Sequence, residues 1–226
     1  FSIWSADLWS YSAVILLFGI LPFFELFTKG STENLSEVEE EIAKKDFRYD
    51  LLLYSLVPIQ YALLMYFLFK IGDNSLSDIT KFGMTLALGM SCGVLGINAA
   101  HELGHRNTWH EQLMSKMLLL TTLYMHFFIE HNRGHHKNVS TDDDPASSRY
   151  GEMVYTFYFR TIIGSWRSAW QLEAERLKQT NQGFWTWHNE MLRFQIIQLG
   201  FVALIYFSFG WQVLSWFLIA AVTGWM

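Results

Sequence analysis

Apolar residues gather along this chain in long blocks rather than alternating with polar ones. Leu8 to Phe27, Leu51 to Ile71 and Phe82 to Ala100 each approach the roughly 20 residues a helix needs to cross about 30 Å of hydrocarbon. Two more, Leu192 to Phe209 and Trp211 to Met226, are joined by Gly210 alone. The pattern predicts an all-α fold, a polytopic transmembrane helical bundle with spans near 8–27, 51–71, 82–100, 192–209 and 211–226. The competing reading of such blocks is core helices of a large soluble protein. No strand pattern or fixed repeat competes. Gly83, Gly89, Gly93 and Gly96 put small residues along the third span, where they let helix backbones approach closely in lipid.

The polar remainder lies in Lys29 to Asp50, a short Gly72 to Lys81 link, and the long stretch His101 to Met191. Nine of the sixteen Lys and Arg fall in that long stretch, which by the positive-inside rule places residues 101–191 in the cytoplasm as a large polar segment. Leu113 to Ile129 is apolar but short for a crossing and contains Lys116 and His126. It is expected as a helix at the cytoplasmic interface or buried against the bundle. No basic leader with a small-residue cleavage site is visible. The chain starts without Met and stops inside an apolar run, so it is expected to be a piece of a longer polypeptide.

Composition narrows the function. The chain has 226 residues, 51% apolar and 16% charged, with one cysteine, Cys92, which excludes a disulfide scaffold and a disordered chain. A net charge of −5 lacks the basic excess that gripping phosphate requires, so no nucleic-acid partner is expected.

Five of the eight histidines form two groups. His101-Glu102-Leu103-Gly104-His105 ends the third span, and residues four apart share a helix face. In Glu130-His131-Asn132-Arg133-Gly134-His135-His136, His131 and His135 repeat that step. So many imidazoles beside a membrane helix end are costly to desolvate unless they are bound or hydrogen-bonded, which points to a metal. HELGH alone is also the zinc-peptidase HExxH pattern. Five histidines exceed the three protein ligands of one catalytic zinc and suggest two ions, and imidazole by itself does not choose the element. If both groups share a centre, the chain between them must leave and return on one side of the membrane.

Among the other polar residues, Glu102 and Glu130 adjoin the histidines and either orient an imidazole, ligate directly or face solvent. His126 is expected as a hydrogen-bonded core histidine rather than a ligand, with support of a ligand as the intermediate option. His110 and His188 are expected at the surface. Asp142 to Asp144 before Pro145 reads as a turn, or as a tether for a neighbouring histidine. Trp166, Trp170, Trp185 and Trp187 suit an interfacial belt. Glu37 to Glu41 reads as a solvated helix face. Lys44, Lys45, Arg48, Arg149, Arg160, Arg167 and Arg176 serve topology, or offer charges to an acidic electron carrier.

HELGH, EHNRGHH, the following KNVSTDDDPASSR and WTWHNE (Trp185 to Glu190) resemble the integral-membrane alkane hydroxylases (alkane 1-monooxygenases) of the histidine-rich membrane di-iron superfamily, over nearly the whole chain. The resemblance implies that His101, His105, His131, His135 and His136 are ligands and catalytic residues of a centre of two non-haem irons. Further ligands are then expected beyond Met226. It implies O2-dependent terminal hydroxylation of medium-chain n-alkanes, with substrate entering from the bilayer and electrons from rubredoxin and its reductase. It also implies a bacterial inner (plasma) membrane protein with the metal site on the cytoplasmic side. The alternatives are a xylene-type hydroxylase or lipid desaturase, a membrane zinc peptidase, and a metal-binding transport protein.

Overall fold

In the computed structural model, which describes residues 1–30, 34 and 36–226 and leaves out the side chain of Lys44, every regular element is helical among the described residues. Part of the Lys29 to Asp50 segment, and the charge expected on Lys44, therefore lie outside the described residues. The elements are α1 (Asp7–Glu25), α2 (Glu37–Lys44), α3 (Phe47–Ile71), α4 (Asp78–Gly104), α5 (Trp109–Thr121), α6 (127–138), α7 (Val154–Gln179) and α8 (Glu190–Trp225). Four of these, α1, α3, α4 and α8, are long and apolar enough to cross a membrane. The acidic run falls on α2, an exposed helix closed by a capping box between Ser36 and Glu39.

Four such helices accommodate the five expected spans because the last one folds back on itself. Gly210, at φ 82° and ψ 175°, interrupts α8 in a conformation essentially reserved for glycine. Residues sixteen apart would be about 24 Å apart on a straight helix, yet the rings of Phe201 and Phe217 lie 5.8 Å apart. The second arm returns along α4, where the glycines do what their spacing suggested. A Cβ added at Gly93 would lie 3.1 Å from the Gly224 carbonyl oxygen, and one at Gly224 would lie 3.0 Å from that of Gly89. The apolar core between these helices is built by Leu64, Phe67, Leu88, Leu214 and Phe217.

The stretch 113–129 does not form the single helix expected of it. The helix begins earlier, at Trp109, ends at Thr121, and the chain turns through Leu123 at φ 53° before α6 starts. α5 dips into the bundle rather than lying on its surface. Thr121 Oγ1 accepts from Gln60 Nε2 at 3.4 Å, Ser115 Oγ donates to the Ala100 carbonyl at 2.6 Å, and Tyr61 OH donates to the Met117 carbonyl at 2.9 Å. The chain thus enters beside α3 and α4 and comes back out on the side it left.

Candidate metal centre

This re-entry brings the two histidine groups together. The helical step from His101 to His105 sets their Nε2 atoms 3.2 Å apart; His131 Nε2 lies 3.2 Å from that of His105 and 3.1 Å from that of His136. Ligand nitrogens of all four fall within 4.8 Å of one another. Adjacent nitrogens bound at about 2.1 Å to one ion stand about 3.0–3.4 Å apart in octahedral or tetrahedral geometry, so the three closest pairs are spaced as ligands of one ion and the group could hold one. Burial, then the neighbouring imidazoles, push His131 down to about 3, which keeps it in the neutral form that ligates.

The partner that His131 finds is not the one its spacing suggested. Residues His131–His135 form a π-turn, whose i→i+5 bonding puts residues five apart, rather than four, on one face. His136 therefore joins the cluster and His135 is turned aside, its Nδ1 2.9 Å from Asp144 Oδ2. Its ring still lies 5.2 Å from that of His131.

The two carboxylates beside the boxes take different positions. Glu102 is half-exposed and accepts from Arg106, which also pairs with Asp50 at 3.1 Å and Glu111 at 3.5 Å. Tyr54 OH donates to Glu111 at 2.7 Å, and Thr108 donates to the same carboxylate. The first box is thereby tied to α3. Glu130 is buried with Oε1 lacking a hydrogen-bond partner among the described residues. Burial, then the Asp144 carboxylate, push it up to about 7.

His126 is buried but stands outside the cluster. It lines a largely apolar cavity of about 300 Å³ with Leu123, Ile163, Gln198 and Trp225. Its Nε2 has no hydrogen-bond partner among the described residues, which the expected core histidine would have had. Burial pushes it down to about 4. His188 is exposed, whereas His110 is half-buried, edge-on to Tyr54.

Sequence reasoning missed the charge clamp that holds the second box. Arg133, inside the π-turn, donates to Glu173 of α7 and Glu190 of α8, each at 2.9 Å. Glu173, whose side chain is fully enclosed, also accepts from Arg176 at 2.7 Å and from the Glu190 backbone N at 2.6 Å. Lys116 adds a 2.7 Å contact to Glu190. The signal was present in WTWHNE, whose Glu190 begins α8 under an Asn189 cap.

The chain is similar to known proteins over most of its length. The fatty acid desaturase family model matches residues 79–226. An alkane 1-monooxygenase of Pseudomonas putida is 37% identical over 209 residues, 92% of this chain and 52% of the relative. Alkane 1-monooxygenase 1 of Alcanivorax borkumensis is 35% identical over 222 residues, 98% of this chain and 54% of the relative. The hydroxylase component of a xylene/toluene monooxygenase of Pseudomonas putida is 28% identical over 167 residues, 73% of this chain and 45% of the relative. The chain spans about half the length of the curated relatives it matches.

Proposed function

The chain belongs to the fatty acid desaturase family, and from that premise we propose that it serves O2-dependent terminal hydroxylation of medium-chain n-alkanes to primary alcohols at a non-haem di-iron centre. The observation that carries the reading is the convergence of four imidazole nitrogens, from two sequence-distant boxes, at one end of an apolar helical bundle. The names of the alkane 1-monooxygenase relatives support the substrate class.

His101, His105, His131 and His136 hold one iron through nitrogen, and His135 is the candidate for the second. Iron bound there supplies the O2-reducing chemistry that no side chain provides. The protein's share is placement and exclusion of water. Phe127 stacks on the His131 ring at 4.7 Å and shields one face of the cluster, while Arg106 and Arg133 fix the two box helices from outside. The apolar bundle offers alkanes a path from the bilayer. Rubredoxin and its reductase are the electron source in this proposal, the site faces the cytoplasm, and the membrane is the bacterial inner membrane.

Four converging histidines argue against the peptidase alternative, which needs three protein ligands and an open position for water, and Glu102 is engaged by Arg106 rather than poised as a base. Purified full-length protein, assayed for metal and for conversion of octane to 1-octanol with reduced rubredoxin, tests the proposal. Two irons per chain and 1-octanol are expected. A single zinc, or turnover of xylene but not octane, refutes it.

A further inference from the structure

The loop after the second box is built around one buried carboxylate. Asp144 is fully enclosed as a side chain. Its Oδ1 accepts from Ala146 N at 2.9 Å, and its Oδ2 from Ser147 Oγ at 2.5 Å and from His135 Nδ1 at 2.9 Å. The loop is itself pinned to α7. Arg160 donates to the carbonyls of Pro145 at 3.0 Å and Ser147 at 2.8 Å, and Thr161 Oγ1 donates to Pro145 at 2.8 Å. Enclosing a carboxylate is expensive unless its bonds are filled, and here, among the described residues, the one side chain outside the loop that fills them is an imidazole next to the four-histidine cluster.

A carboxylate only accepts, so Nδ1 of His135 carries the proton and Nε2 keeps its lone pair. That is the tautomer a metal requires at Nε2, reached through the carboxylate–imidazole pairing that orients metal-binding histidines. His135 is also the one box histidine that the π-turn excludes from the cluster, where an ion would already have four nitrogens. We infer that Asp144 is a positioning residue, which locks the tautomer and orientation of His135 and so presents Nε2 to a second metal ion, distinct from the ion of the four histidines. The inference rests on the metal-centre reading above.

Titration of metal-free full-length protein with Co(II), whose visible absorption reports nitrogen ligation, tests it. Wild type is expected to take up two equivalents. Asp144→Asn should weaken one of them about 10- to 100-fold and leave the other unchanged, because the amide can donate to Nδ1 and favour the wrong tautomer. His135→Ala should lose the same equivalent, and the double variant should be no worse than His135→Ala alone. Ser147→Ala, which keeps the carboxylate but frees one of its bonds, should weaken that equivalent several-fold, and it decides the matter if Asp144→Asn fails to fold. Wild-type affinity for both ions in Asp144→Asn or, should that variant not fold, in Ser147→Ala overturns the inference alone, as does an Asp144→Asn effect that persists without His135. A wild-type protein that binds no cobalt, or a single equivalent, overturns it together with the di-metal reading.

Discussion

Replacing Glu173 by Ala tests whether the second histidine box is held by charge. Glu173 accepts four hydrogen bonds, from Arg133 Nη1 at 2.9 Å, Arg176 Nε at 2.9 Å, Arg176 Nη2 at 2.7 Å and Glu190 N at 2.6 Å. Breaking a buried ion pair by removing one partner costs about 3–5 kcal/mol, because the other charge is left uncompensated. Here the cost is smaller. Arg133 retains Glu190, and both arginine side chains are about a third exposed (36% and 35%), so water recovers part of the loss. A net cost of about 2–4 kcal/mol is expected, which lowers the melting temperature by roughly 5–15 °C in a protein of this size. Glu173→Gln, which keeps the shape and one acceptor, should cost about half as much. Thermal unfolding in detergent, followed by tryptophan fluorescence, reads both variants. Metal affinity should fall in Glu173→Ala because the π-turn loses its anchor to α7. A melting temperature within 1 °C of wild type, with metal affinity intact, would refute the clamp.

Two further substitutions probe the fold and the histidine outside the cluster. His126→Leu removes a buried nitrogen that lacks a partner, so metal content should stay at the wild-type level when measured by elemental analysis, and stability near neutral pH should change little. The same variant should flatten the acid limb of stability. Unfolded imidazole takes a proton near pH 6.5, whereas burial pushes His126 down to about 4. The unfolded chain then binds more protons between those values, and wild type should lose about 3 kcal/mol as pH falls from about 6.5 to 4. Gly210→Ala forces a Cβ onto φ 82°, at a cost of about 1–3 kcal/mol, and should lower the melting temperature without a direct effect on any ligand.

Much of this was legible because it follows from spacing and solubility. Apolar blocks of membrane length marked the spans, and a lone glycine between two of them marked the hairpin. Five histidines in two boxes suggested a shared centre, and a shared centre required the chain between them to re-enter. What spacing could not show was local winding. A single extra residue per turn at His131–His135 exchanges His136 for His135 as the partner of His131, and an α-helical reading has no means of detecting it. Nor could sequence reveal that Arg133 lies between Glu173 and Glu190, since those carboxylates are 40 and 57 residues away.

The hairpin and the metal centre are parts of one assembly. α5, at 13 residues, spans about 20 Å, too little to cross about 30 Å of hydrocarbon, so the chain must reverse inside the bundle. The reversal places Leu123 at φ 53°, a conformation that costs an ordinary residue about 1–2 kcal/mol. It also strips backbone groups of helical partners where water is scarce. α8 supplies those partners from both of its arms. Trp225 Nε1 donates to the Thr122 carbonyl at 2.6 Å, and Gln198 Oε1 accepts from Met125 N at 3.0 Å. Residues 198 and 225 reach the same turn only because Gly210 folds α8 back. The bend at Gly210 thus stabilises the turn at Leu123, and that turn returns His131 to within 3.2 Å of His105 in the first box, with His136 3.1 Å from His131.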